Sequence, residues 1–184
     1  LLDFEKIEKL IDQKALNNFR NRAMNSQKYN TRGTAQNDDI YFQNAEARNK
    51  DYFNVVDIVS EYMKQINKIT GNDFKPFNYY GAKDADSIII AMGSVCDTIK
   101  ETVSYLNSCG KKYGMVEVHL YRPFSNTHLL DVIPSTVKKV AVLDRTKEPA
   151  ASGEPLYLDV TAALKEKNIK IIGGRYGLSS KDTT

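Results

Sequence analysis

Seven charged side chains, Arg122, Asp144, Arg145, Lys147, Glu148, Glu154 and Arg175, follow closely on short apolar runs and are the residues best placed to do chemistry. If those runs are parallel strands, all seven gather at the carboxyl edge of one sheet, the default ligand or partner crevice of an α/β layer. Their mixed sign leaves two outcomes open. Guanidinium forks can hold a carboxylate or phosphate, and the same groups can equally be spent as ion pairs that tie neighbouring loops together.

A second anion candidate is the turn Met92, Gly93, Ser94, where a helix starting after a strand would present free N–H groups. Its surroundings, AMGSVCD, lack the G-x-G-x-x-G spacing and put Asp97 in the first helical turn, where it would repel a phosphate. Ordinary capping by Ser94, with Asp97 three residues on as a variant capping box, is the expectation. His119 and His128 are the two histidines, and neither has a Cys or carboxylate at metal-ligand spacing, so both are expected to be packed or solvated.

Cys96 and Cys109 stand at the two ends of one expected helix, about 20 Å apart along its axis, beyond disulfide reach. They are expected to be buried thiols. Two cysteines without Cys-x-x-Cys spacing cannot hold an iron–sulfur cluster by themselves. There is no nucleophile elbow and no Walker loop. No catalytic residue and no metal ligand is expected in this segment.

These residues depend on an alternating framework. Ile88, Ile89 and Ile90 centre a strand over 86–92, Val95, Ile99, Val103 and Leu106 a helix ended by Gly110, and Met115 to Tyr121 a second strand. Ser125 caps a short helix that stops at Pro134. Strand three follows at 139–143, a helix at 157–167 and strand four at 169–172, with crossover lengths that parallel strands require. The fold class is therefore α/β: three layers around an open, mostly parallel, Rossmann-like sheet, with an N-terminal helical and irregular extension. In that extension, 3–20 reads as one amphipathic helix capped by Asp3, 17–54 as mostly irregular connector with Gly33 in a turn, and 52–70 as a half-buried helix stopped by Gly71. Phe74 to Gly81 reads as an aromatic lead-in to the first strand.

Composition narrows the partners. The 184 residues are 41% hydrophobic and 27% charged, with a formal net charge of +3 from 26 basic and 23 acidic residues. That charge is scattered, with no basic block to track nucleic acid. No run approaches the roughly 20 apolar residues that cross a bilayer, so no membrane partner is expected. LLDFEKIEKL has neither the basic start nor the apolar centre of a signal peptide. The missing initiator Met leads us to expect a piece of a longer protein.

The words RGTAQN at 32–37, YYGAKDAD at 79–86, IIAMGS at 89–94, LYRPF at 120–124, VAVLDRTKEP at 140–149, GEPLYLDV at 153–160 and GGRYGLSSKD at 173–182 resemble pyruvate:ferredoxin (flavodoxin) oxidoreductase, of the 2-oxoacid:ferredoxin oxidoreductases. The resemblance implies the second domain of that enzyme, which is similar to the C-terminal domain of transketolase. It implies a division into 1–78, the end of a preceding domain and a linker; 79–174, the α/β domain; and 175–184, the start of a linker onward. It further implies an oxidoreductase of anaerobic metabolism that converts pyruvate and coenzyme A to acetyl-CoA and carbon dioxide and passes electrons to ferredoxin or flavodoxin. Thiamine diphosphate, Mg2+ and [4Fe-4S] clusters are implied for the full-length enzyme, chiefly on domains absent here, as are a homodimer and a cytoplasmic or organellar location.

This chain lacks the Gly-Asp-Gly thiamine signature, so the resemblance implies a non-catalytic, interdomain role with the other domains of the same enzyme as partners. By resemblance, Gly174, Arg175, Tyr176 and Gly177 lead toward the coenzyme A domain and are the candidate cofactor-binding residues. Glycines let backbone approach a pyrophosphate and Arg holds it with a fork of donors; otherwise the segment is a glycine hinge. Ala150 stands where the family often carries glycine, which argues against an obligatory left-handed turn there. The rival expectation is a self-sufficient flavodoxin-like or nucleotide-binding module using Gly93 and Ser94.

Overall fold

The computed structural model describes residues 2–29, 35–179 and 181–183, so Gly33 and its expected turn lie outside the described residues. The chain divides into two compact units, Leu1–Asp73 and Phe74–Thr184.

In the first unit, α1 (Phe4–Leu10) and α2 (Gln13–Asn21) replace the single helix expected over 3–20. The break has a local cause. Asp12 takes the backbone N–H of Ala15 at 2.9 Å and so starts a new helix instead of continuing the old one, while Asp3 caps α1 as expected. The stretch expected to be irregular contains α3 (Asp38–Ala47), and α4 (Asn49–Thr70) begins inside it. Asp38 and Asp39 favour the positive N-terminus of α3, but no residue of α3 is buried, so no apolar periodicity marked it. Along α4, Val56 is buried, Val55, Val59, Met63, Ile66 and Ile69 are half-buried, and Gly71 closes the helix in the left-handed region at φ 75°. Helices α1 and α3 pack against α4.

The second unit is one five-stranded sheet. It comprises β1 (Phe77–Gly81), β2 (Ser87–Ala91), β3 (Tyr113–Val118), β4 (Lys139–Asp144) and β5 (Lys170–Arg175), in the spatial order β1-β3-β2-β4-β5. Four strands are parallel and β1 runs antiparallel along the β3 edge, so Ile88, Val118 and Val142 lie on parallel strands as expected. The strand β1 is a correction: the lead-in segment is itself in the sheet. Phe77, only 1% exposed, sits opposite Val118 and meets Phe124 edge-on at 5.5 Å. Gly81 lies opposite Gly114 at φ 119°, where a Cβ would run into the backbone of Tyr113 and Gly114, so only glycine closes that strand end. Beyond Val118 the ladder stops, because His119 and Leu120 both donate to the Pro76 carbonyl, and β3 ends three residues earlier than its apolar run.

Handedness then decides where the helices go. From β2 the chain crosses through α5 (Val95–Ser108) to β3 on one side, returns through α6 (Asn126–Val132) to β4 on the other, and continues through α7 (Pro155–Ala163) to β5. Right-handed crossovers running in opposite directions must lie on opposite faces. Accordingly α5 packs its Val95, Cys96, Ile99 and Val103 onto Ala91 and Met115 of one face, while Leu129, Leu156 and Val160 of α6 and α7 join Ile88, Ile90, Val140 and Val142 on the other. This makes three layers. Among the described residues, no helix is long and apolar enough to cross a membrane.

Candidate functional site

The loops leaving β2 and β4 diverge, because the next crossover goes one way from β2 and the other way from β4. A crevice opens there, at the carboxyl ends of adjacent parallel strands, which is the usual ligand position in such sheets. It is lined by Met92, Gly93, Ser94, Asp144, Arg145, Thr146 and Tyr176 and encloses about 240 Å³. Binding pockets for ligands of cofactor size run from about 300 to 1,000 Å³.

The crevice is crossed by the chain that follows β5. The Tyr176 hydroxyl donates to the Met92 carbonyl at 2.9 Å, and its backbone N–H donates to the Asp144 carbonyl at 3.1 Å. Arg145 turns the same way: Nε donates to Gly177 O at 2.8 Å, Nη2 to Ser179 O at 3.0 Å, and Nη1 reaches Ser94 Oγ at 3.4 Å. Ser94 therefore holds Arg145 and makes no side-chain cap on α5, contrary to expectation, and Asp97 pairs with Lys100 at 3.4 Å. Gly177, at φ 51°, occupies the left-handed region that this reversal needs.

The remaining charges form separate groups. Asp144, 1% exposed, accepts the backbone N–H groups of Leu156 and Tyr157 at 2.9 and 3.1 Å, so it caps α7 from a neighbouring strand. Burial is the dominant influence on its carboxyl and raises its pKa above the ordinary value despite those two donors. Glu154, 4% exposed, pairs with Arg175 at 2.5 Å and accepts the Glu148 N–H at 2.8 Å. Burial pushes Glu154 upward most strongly, but Arg175, the Glu148 N–H and Lys147 together outweigh it and hold the carboxyl below its usual value. Arg122 lies over the Tyr121 ring and pairs with Asp159 of α7 at 2.7 Å. Lys147 and Glu148 are exposed. The seven charges at this edge thus serve mainly as loop ties.

Of the candidate tail residues, Gly174 lies in β5 against Leu143, Tyr176 lines the crevice, the Gly177 carbonyl accepts from Arg145, and Arg175 reaches Glu154 with about half its side chain exposed. Ala150 is a correction. It adopts φ 63°, so the loop between β4 and α7 does take a left-handed turn at that residue and takes it with alanine.

One polar cluster escaped sequence reasoning. Glu117 bonds Lys100 at 2.8 Å and stands 3.5 Å from His119 Nε2, so His119 does have a carboxylate beside it. On the strand expected over 115–121, residues 117 and 119 fall on one face at i, i+2 spacing, and that was the available signal. Phe74 packs edge-on to His119 at 5.4 Å. Ser125 caps α6 as expected and its Oγ lies 2.8 Å from His128 Nδ1.

The cysteines split. Cys96 is buried, and burial followed by Glu117 pushes its thiol up to about 12, whereas Cys109 is exposed at the other end of α5, against the expectation that both are buried. A neutral buried thiol and one distant surface thiol do not fit an iron–sulfur cluster. Among the described residues, no group of three or more His, Cys, Asp or Glu side chains gathers where it could hold a metal. The 240 Å³ crevice does not fit thiamine diphosphate either.

The family model described as pyruvate:ferredoxin oxidoreductase core domain II matches residues 85–184. The chain is 52% identical to a pyruvate-flavodoxin oxidoreductase of Enterobacter agglomerans over 99% of its length and 16% of the relative's. It is 50% identical to the pyruvate:ferredoxin oxidoreductase of Moorella thermoacetica, again over 99% of this chain and 16% of that protein. The chain thus spans 16% of the length of these relatives. Among solved structures, a 2-oxoglutarate:ferredoxin oxidoreductase from Magnetococcus marinus, with 2-oxoglutarate, coenzyme A and succinyl-CoA bound, is 19% identical over 62% of this chain and 19% of that one, with a TM-score of 0.39.

Proposed function

Because the chain belongs to the pyruvate:ferredoxin oxidoreductase family, we propose that it is a non-catalytic, interdomain part of an enzyme that oxidatively decarboxylates pyruvate with coenzyme A and reduces ferredoxin or flavodoxin. The observation that carries this reading is the closed crevice at the ends of β2 and β4. Arg145 and Tyr176, the two side chains best placed to receive a ligand there, are spent on the chain's own backbone. A crevice filled in this way fixes the direction in which the segment after β5 leaves the sheet. Thiamine diphosphate, Mg2+ and the clusters are then held by other domains, and dimerisation belongs to the full-length enzyme.

Coenzyme A, a substrate of that enzyme, remains assigned to the neighbourhood of Gly174, Arg175, Tyr176 and Gly177. Arg175 supports this best. Its Nε is committed to Glu154, and nearly half its side chain is exposed toward whatever lies beyond β5. Weaker coenzyme A binding in the full-length Arg175→Ala enzyme, with pyruvate affinity kept, is the expected result; unchanged coenzyme A affinity removes the assignment.

Calorimetry tests the main reading. The 184-residue chain is expected to bind neither thiamine diphosphate with Mg2+, nor FMN, nor NAD tighter than about 10 µM, near 7 kcal/mol. Tighter binding of any of them would favour the nucleotide-binding alternative. The full-length enzyme is expected to reduce a viologen dye with pyruvate and coenzyme A, and the isolated chain is not.

A further inference from the structure

The face of the sheet that carries α5 is covered only in part. The topology sends α6 and α7 to the opposite face, so α5 lies over the β1, β3 and β2 side, and no helix of this unit follows it over β4 and β5. A groove of about 650 Å³ runs along this strip, walled by Thr98, Thr102 and Leu106 of α5, with Thr183 of the tail also lining it. Its floor is set by strand register: Ile89, Ala141 and Ile172 are direct neighbours across β2, β4 and β5, with Leu143 beyond them. Ile172 is 56% exposed although it points from a strand of a mostly parallel sheet, the kind of sheet whose faces are ordinarily both covered.

One turn of pleat toward the amino ends, the same register sets Lys139 directly beside Lys170. Both are exposed, and among the described residues neither has an ion-pair partner. Two ammonium groups side by side on adjacent strands repel, and negative charge placed over them relieves that cost.

We propose that this groove is the seat of an amphipathic α-helix contributed by the remaining polypeptide of the full-length enzyme, apolar toward Ile89, Ala141 and Ile172 and bearing carboxylates over Lys139 and Lys170. The inference rests on the family reading, since the curated relatives are about six times as long as this chain, 16% of each being matched. Chemistry defines the occupant. A helix running antiparallel to the strands, as α5 does, directs the negative end of its own dipole at the two lysines. Strands of five or six residues offer a bed of roughly 18 Å, which matches a helix of about 12 residues. Ala141, small and central, lets such a helix approach closely.

The test uses an Ile172→Cys, Cys109→Ser variant, made both in the 184-residue chain and in the full-length enzyme. Alkylation by N-ethylmaleimide at position 172, read by peptide mass spectrometry, is expected to be at least about a hundredfold slower in the full-length enzyme. Zero-length carbodiimide cross-linking of the unmodified full-length enzyme is expected to join Lys139 or Lys170 to an Asp or Glu of a segment outside these 184 residues, with apolar residues at helical spacing around it. Equal alkylation rates in the two proteins overturn the inference. So do cross-links between differently isotope-labelled copies, which would make a second subunit the occupant. Viologen reduction by the unmodified full-length enzyme separates the two readings: an active enzyme with a freely reactive position 172 sinks the groove alone, whereas an inactive one sinks the proposed activity beneath it.

Discussion

At the residue scale, the most instructive position is Ala150. A left-handed φ costs an L-residue roughly 1–2 kcal/mol, and glycine there avoids that cost while losing some backbone entropy on folding. Ala150→Gly is therefore expected to stabilise the folded chain by about 0.5–1 kcal/mol, read as a rise in the urea midpoint. A midpoint that falls by a comparable amount would show that the loop does not depend on this turn. Glycine preference at this position was visible from family resemblance alone. That the alanine would keep the turn was not, because neighbouring hydrogen bonds, among them the Glu154 carboxylate on the Glu148 N–H, hold the loop regardless.

At the scale of elements, α7 and the ends of β4 and β5 are joined by two buried carboxylates whose responses to pH have opposite sign. Glu154 is held below its ordinary value of 4.5, so the unfolded chain takes up this proton first. Its stabilising contribution is complete above that value and lost as pH falls through the lower, folded one. Asp144 is raised above its ordinary value of 3.8, so folding favours its protonated form, and its contribution declines as pH rises through the folded value. In Glu154→Gln the acid-sensitive pair with Arg175 is gone. The stability gap between the parent and Glu154→Gln chains is expected to be widest at neutral pH and to narrow as pH drops below 4.5, measured by urea unfolding across that window. A gap that stays constant would mean that the Arg175 contact does not depend on charge. Strands β2 to β4 and helices α5 to α7 were legible because each buries aliphatic residues, and β5, which buries none, was legible from the short run Ile169, Ile171 and Ile172. The strand β1 was not, since its aromatic residues owe their strand geometry to the partner β3 and not to any alternation of their own.

At the scale of the whole molecule, the two compact units differ in how they are held. The sheet unit has a buried apolar core on each face of the sheet, the smaller one under α5, whereas α1, α2 and α3 bury no residue. Amide exchange in the dilute chain is expected to be at least about a hundredfold faster in α1–α3 than in β2, β3 and β4. Equal protection would point to a partner surface on those helices, such as a second copy. Sequence alone determined the α/β alternation, the parallel order of its central strands and the family, because apolar periodicity and local words survive without any knowledge of neighbours. Only tertiary structure decided which charges meet, that Arg145 and Tyr176 close the crevice from within, and that one strip of the sheet has no helix of its own unit over it. Those outcomes follow from crossover handedness and strand register, which bring together residues that lie far apart along the chain.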